Sequence, residues 1–415
     1  MAEPGERAFA TEVVARLAKA GHEALFAGGC VRDEILGLEP DDYDVASSAT
    51  PDQVRGLFRR SVAVGASFGV IEVLGPPGRK GPLKVQVATF RTDGNYADGR
   101  RPSSVTFGTA REDALRRDFT INGMFMAPAT GEVLDYVGGR ADIQAGLLRA
   151  IGDPEKRFEE DRLRLVRAVR MTARFSMVLE KATAAAISRH ASALTVVSAE
   201  RIADELRKML RHPKRARAMA LLAEHGLLRV VLPELAEQAQ EDPECLPRVF
   251  RGLEALPSWA GFEISLATTL MGADPSLTHN ISRRLKISNE ERDQLHWLLA
   301  HATALDTGCA PPRHILFPLF AHPWVDGLIH CARARLIASG QTPDGPDQAR
   351  HMLESGDADF FNPRPLLDGA DLQQIGLVPG PQLGQLLRRV RDEQLDGLLL
   401  DKAAALDRAR ELAGK

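Results

Sequence analysis

Cysteine is scarce in this 415-residue chain: Cys30, Cys245, Cys309 and Cys331 are scattered and form no C-x-x-C pair. That spacing signals neither a cysteine zinc site nor a disulfide framework, and it fits a reducing cytoplasm. No apolar run approaches the roughly 18 residues needed to span a bilayer, so no membrane segment is expected. The first residues carry Glu3, Glu6 and Arg7 and no apolar core, so no signal peptide is expected. Charge of one sign is missing too. With 53 basic against 56 acidic residues, the net charge is −3. Contact with nucleic acid must therefore come from local basic patches and not from an overall positive field. Aromatic residues make up only 5%, whereas 44% hydrophobic and 26% charged residues are ordinary for a soluble globular protein of two or more domains.

What is present is concentrated between Leu25 and Asp44, LFAGGCVRDEILGLEPDDYD. An apolar strand-like entry runs into Gly28-Gly29, a short helical run follows from Val31 to Leu36, and a polar loop leads to Asp42-Tyr43-Asp44. Residues two apart on an extended chain point the same way, so Asp42 and Asp44 project together. Two carboxylates on one face repel unless a cation lies between them. Mg²⁺ suits such a pair when phosphate oxygens complete its shell. The two glycines let backbone N–H groups approach a phosphate, and the helix start behind them adds positive potential.

GGCVRD followed by DYD resembles the signature of the nucleotidyltransferase superfamily. The GGxVRD form resembles its class II branch, which contains the bacterial CCA-adding tRNA nucleotidyltransferases and the bacterial poly(A) polymerases. The resemblance implies a catalytic head in which Asp42 and Asp44 hold two Mg²⁺ ions. It also implies that Gly28, Gly29 and Arg32 lie against the nucleotide phosphates.

Along the head, Phe9 to Ala20 has the spacing of an amphipathic helix, and Glu23 to Ala27 that of a first strand. Thr50-Pro51 opens a helix that runs to about Phe58. The alternating stretches Val62 to Leu74 and Leu83 to Phe90, joined by GPPGRKGP, predict a hairpin. VGASFGV resembles the CCA-adding enzymes more than the poly(A) polymerases. Gln86 departs from the family, where an acidic residue usually stands before the VATFR-like run. Arg91 to Pro102 reads as a loop. LRRDFTINGM, from Leu115, places Arg116, Arg117 and Asp118 before a short β-like run. Its resemblance to the family's RRDFTINAM block implies that Arg117 contacts the triphosphate and that Asp118 lies near the ribose.

Glu159 to Arg174, EEDRLRLVRAVRMTAR, has no Gly or Pro and predicts one continuous helix. On it Leu163, Val166, Val169 and Ala173 form an apolar stripe, while Asp161, Arg164, Arg167, Arg170 and Arg174 recur on another face. Such a ladder is usually a solvated set of ion pairs. Asp161 with Arg164 also resembles the family's ED-x-x-R block, which implies that the two read the base edge of the incoming nucleotide. Adenine and cytosine share an exocyclic amine that a carboxylate accepts from, so one pair can favour A and C over U and G. Arg167 and Arg170 are expected to support that pair or the triphosphate.

From Thr183 onward the pattern is helical. Arg207, Lys208, Arg211, Lys214, Arg215 and Arg217 cluster without interleaved aromatics, which suits phosphate contact and argues against stacking there. Residues 233 to 262 read as a connection between helices, Ile281 to Leu305 as a helix pair with a Ser288 cap, and Gln341 to Asp347 as a linker. Gln382 to Ala409 reads as a last helical region. His279-Asn280 is not the His-Asp pair of metal phosphohydrolases.

The expected fold class is an α+β nucleotidyltransferase head with a mixed β-sheet, followed by an all-α neck, body and tail. The expected divisions are 1–150 for the head, 151–212 for the neck, 213–340 for the body and 341–415 for a tRNA-binding tail. The expected partners are the tRNA 3′ end, CTP and ATP, with no membrane and no protein partner implied. Addition of C, C and A is the reading the residues favour. A poly(A) polymerase and a partial CC- or A-adding enzyme stay open.

Overall fold

The computed structural model describes residues 5–65, 69–78, 81–93, 105–306, 312–356 and 358–413. Its contacts divide the chain into two units, one of residues 1–209 with 217–236 and one of 210–216 with 237–415.

The first unit is built on a seven-stranded mixed sheet. Helix α1 is Glu6–Lys19, β1 Ala24–Ala27, α2 Gly29–Ile35, β2 Val45–Ser47 and α3 Pro51–Leu57. Strands β3 Ser61–Gly65, β4 Val70–Gly78 and β5 Gly81–Thr89 follow, then β6 Arg91–Asp93 and β7 Val105–Phe107. After α4, Ala110–Arg116, come β8 Met124–Met126, β9 Val133–Asp135 and α5 Gly139–Ala145. The large sheet has the order β3-β4-β5-β2-β1-β8-β9; β2 and β5 run parallel and the other pairs antiparallel.

Alternation along the strands sends side chains to two cores. Val45, Ile71, Val73, Val85 and Val87 pack against Phe9, Val13 and Leu17 of α1 on one face. Leu25, Ala27, Ala46, Phe90 and Phe125 pack against Ala110 and Ala114 of α4 on the other. Thr50 caps α3 with a capping box completed by Gln53, and Pro51 needs no N–H partner at the helix start. The hairpin forms as expected, with Val73 opposite Val85 and Gly78 opposite Gly81. Residues 79–80 of its connection, residues 66–68 of VGASFGV and residues 94–102 of the expected loop lie outside the described residues.

Several expectations about elements change. The β-like run after Asp118 is a 3₁₀ turn, Thr120–Asn122, and β8 starts only at Met124. Glu159–Arg174 is not one helix. After β10, Leu147–Leu148, α6 is Pro154–Glu160 and α7 is Leu163–Arg174, with Asp161 extended between them at φ −147°, ψ 104°. The Asp161 carboxylate accepts from Leu163 N at 3.1 Å, and this local bond competes with helix continuation. Residues 233–262 are not a connection either, for they hold the helices Pro233–Glu241 and Cys245–Ala255. Pro233 sits at a helix start, where proline is tolerated, so proline content misleads there.

The remaining elements of the first unit are helical apart from β11, Val178–Leu179; α8 is Lys181–His190 and α9 Ala199–Leu210. In the second unit the helix Asn289–Ala300 carries the Ser288 capping box expected from sequence. The expected linker ends early, because a helix runs from Asp344 to Ser355. The last helical region is two helices, Pro381–Leu395 and Lys402–Leu412. Cys30, Cys245 and Cys331 are buried free thiols, and Cys309 lies outside the described residues. Among the described residues no single helix is long and apolar enough to cross a membrane.

Candidate active site

The first unit holds a cleft of about 500 Å³. Its floor is Gly28 and Gly29 with Arg32 of α2; Asp42 and Asp44 stand at the start of β2. Arg116, Arg117, Asp118 and Asn122 come from the end of α4 and the turn after it, and Asp161, Arg164, Arg167 and Met171 from α7 and the break before it.

Asp42 and Asp44 flank Tyr43, whose ring is buried against Phe26 with centroids 5.0 Å apart. With Tyr43 turned into the core, both carboxylates turn outward, and both residues are exposed. Neither side chain has a hydrogen bond or an ion pair among the described residues. The Asp44 carboxyl is pushed up to about 6, first by its dense surroundings and then by the charge of Asp42, with Arg117 opposing. Both causes disfavour the charged form, and a bound cation would offset them. A hard divalent cation, completing its shell with phosphate oxygens and water, fits that donor set. Val45 lies opposite Val87 in the parallel register, which sets Gln86 level with Asp44 on the neighbouring strand. Glu72 stands opposite Gln86 on β4 and is paired with Lys84 at 3.2 Å.

Gly28 has φ +73°, and a Cβ there would meet Arg117 NH1 at 2.8 Å. Only glycine satisfies both the backbone conformation and the close approach. The guanidinium of Arg117 is held by Asp113, with Nε donating to Oδ2 at 3.0 Å, and NH1 donates to Asn122 O at 3.3 Å. Burial opposes the charged form of Asp113, but Arg117 and Arg116 outweigh it and hold its carboxyl below the usual range. Arg32 is buried over the Phe175 ring at 4.3 Å and donates to Asp33 at 2.8 Å and to Asn122 Oδ1 at 2.5 Å.

Asn122 links two of the expected residues. It accepts from Arg32 and donates through Nδ2 to Asp118 Oδ1 at 3.2 Å. Asp118 is buried; burial opposes its charge, but Arg167 and Arg164 prevail and keep its carboxyl below the usual range. Its Oδ2 lies 2.9 Å from Arg167 NH2 but has no partner in hydrogen-bond geometry.

Arg164 is only 8% exposed. NH1 donates to Glu160 Oε2 at 2.6 Å and to Arg157 O at 2.9 Å, so the plane of the guanidinium is fixed. Glu160 also accepts from Arg157 at 3.0 Å. Asp161 is not on the helical face expected for it. Both of its oxygens accept from Arg201 of α9, at 3.2 and 2.8 Å. Arg170, expected beside the nucleotide, does not line the cleft. It is buried, and its Nε donates to Glu205 of α9 at 2.5 Å.

Sequence reasoning passed over Asn122, Asp113, Arg157, Glu160 and Arg201. Asp113 stands three and four residues before Arg116 and Arg117, so helical spacing carried a signal for it. Arg201 had none, because its partner lies 40 residues away in the chain; Asn122 stands four residues after Asp118, but its bond to Arg32 spans 90 residues.

The family described as "Poly A polymerase head domain" matches residues 24–149, and "Probable RNA and SrmB- binding site of polymerase A" matches residues 176–238. A CCA-adding enzyme of Lactiplantibacillus plantarum is 34% identical over 92% of this chain and 91% of its own length. One from Levilactobacillus brevis is 32% identical over 97% of each. The crystal structure of a Bacillus stearothermophilus CCA-adding enzyme in complex with CTP superposes with a TM-score of 0.80 at 28% identity, covering 100% of both chains. With its mixed-sheet head, its helical remainder and this likeness along nearly its whole length, the chain belongs to the family of CCA-adding enzymes, which are nucleotidyltransferases.

Proposed function

We propose that this protein adds C, C and A in turn to the 3′ end of tRNA, using CTP and ATP and no nucleic-acid template. The observation that carries this reading is one cleft lined both by a carboxylate pair without a side-chain partner among the described residues and by the fixed guanidinium of Arg164, in a chain alike to CCA-adding enzymes over nearly its full length. Asp42 and Asp44 would hold two Mg²⁺ ions, whose chemistry is to activate the RNA 3′-hydroxyl and to neutralise charge on the departing pyrophosphate. Gly28 and Gly29 allow the triphosphate to approach the backbone, and Arg117 and Arg32 orient it. Asp118 lies at the ribose. Arg164 donates to the base edge, and Asp161 accepts from the exocyclic amine that C and A share. Arg167 holds Asp118 in place. Arg170 acts at a distance, by tying α7 to α9. We keep 1–150 as the catalytic head and 151–212 as the neck, followed by a body to 340 and a tail to 415.

The test uses the purified protein, tRNA ending before CCA, and labelled nucleotides one at a time. CTP alone should give two additions, and ATP should be incorporated only after them. Addition of A alone to many RNAs would replace this reading with poly(A) synthesis. Arrest after CC, or A added only to CC-ended tRNA, would make the protein a partial enzyme.

A further inference from the structure

The basic run around residue 211 does not act as one surface. Arg215 is 1% exposed, and its three nitrogens donate to carbonyl oxygens at 3.1 Å: Nε to His212, NH1 to Pro257 and NH2 to Ser258. It has no carboxylate partner among the described residues, and burial lowers its pKa. A buried cation spent on three carbonyls is costly unless those bonds are made, so it strongly fixes the loop it holds. The next residue in that loop is Trp259, the side chain least expected to be left outside, and it is 59% exposed. Its ring rests edge-to-face on His330, with centroids 4.9 Å apart at 83°.

Two cations of the same run stay available, whereas Arg207 is paired with Asp204, Lys208 with Glu205, and Arg217 donates to Met177 O. The Arg211 side chain is 58% exposed and reaches Glu263 only at 4.0 Å. Lys214 is exposed and has no ion pair among the described residues. The neighbours of Trp259 in the chain are exposed Ser258 and buried Ala260. The ring is an exposed flat face on the loop that Arg215 ties to the basic run. The aromatic that the basic run lacks in sequence is supplied from 44 residues further on, counting from Arg215 to Trp259.

We propose that Trp259, Arg211 and Lys214 form an RNA-binding patch of the second unit. The indole takes the flat face of a nucleobase or ribose, and the two cations take the flanking phosphates. This rests on the reading of the substrate as RNA. Arg215 is a positioning residue that holds the Trp259 loop.

The test uses the full chain and tRNA ending before CCA. Trp259→Ala should weaken tRNA binding about five- to tenfold, the loss of roughly one stacked face. Trp259→Phe should retain affinity to within about twofold, because a stacking face remains. Lys214→Ala should weaken binding and lower the slope of log affinity against log salt by about one. The KM for CTP and the thermal midpoint should stay as in the wild type. Unchanged tRNA affinity in both Trp259→Ala and Lys214→Ala overturns the proposal. Unchanged affinity with an altered oligomeric state also overturns it, and assigns the patch to protein contact. Failure of the broader reading would look different, since the wild-type protein itself would then add no nucleotide.

Discussion

The ledge before β2 and the wall formed by α6 and α7 both bring charge to the same cleft, but in opposite states. On the ledge, Asp42 and Asp44 are exposed and have no side-chain partner among the described residues, and the dense surroundings of Asp44, with the charge of Asp42, raise its affinity for a proton. On the wall, Arg164 is tied to Glu160, Asp161 to Arg201, and Arg170 to Glu205. The ledge leaves its charge without a partner among the described residues. The wall uses most of its charge to fix its own geometry, and it presents only the remaining donors and acceptors. A metal clamp needs uncompensated charge, whereas a surface that discriminates bases needs groups that do not move.

This contrast can be broken most forcefully at the ledge. Asp42→Ala should lower single-turnover incorporation of CMP by about 10³-fold, because metal charge stabilisation contributes several kcal/mol to the transition state. Filter binding should show tRNA affinity largely unchanged. Survival of turnover would remove the carboxylate pair from the mechanism.

On the wall the first effect should be on stability. Arg170→Ala leaves the buried carboxylate of Glu205 with only Lys208, at 3.7 Å, and urea unfolding should report a loss of about 3 kcal/mol. The KM for CTP should move little at permissive temperature. A large rise in KM with unchanged stability would return Arg170 to the nucleotide.

Arg164→Ala should cut the preference for C and A over U and G about tenfold or more, since one well-placed donor pair discriminates by roughly 1–3 kcal/mol. The measurement is the ratio of kcat/KM for the four nucleotides. An unchanged ratio would leave the wall a purely structural element.

The smallest effect is on pH dependence. The folded-state pKa of Asp113 is depressed by Arg117 and Arg116 against the cost of burial. A depressed carboxylate contributes stability that is present above its unfolded value, about 3.9, and is lost as pH falls through the lower folded value. Stability should therefore decline below about pH 4, and Asp113→Asn should flatten that part of the profile in urea titrations. An identical acid limb in the variant would show that the pair does not govern it.

The ledge was readable because its signals are local. Gly28, Gly29, Asp42 and Asp44 lie within 17 residues, and the alternation about Tyr43 is a property of any extended chain. The wall was readable only in part. Helix propensity predicts one unbroken helix through Asp161, but a side-chain bond to Leu163 N and two bonds from Arg201 hold that residue extended. Arg170 shows the same limit. Its spacing puts it on the face of Arg167, yet its partner on α9 draws it away from the cleft.

The sequence by itself determined the mixed-sheet head, the helical remainder and the carboxylate pair, because strand alternation, helix caps and the Gly-Gly turn act over a few residues. Only the tertiary structure decided which arginines face the cleft, which carboxylate each one holds, and that a tryptophan stands beside the basic run. Those pairings join residues tens of positions apart, and a charge in a folded protein goes to whichever opposite charge or carbonyl the packing brings within about 3 Å.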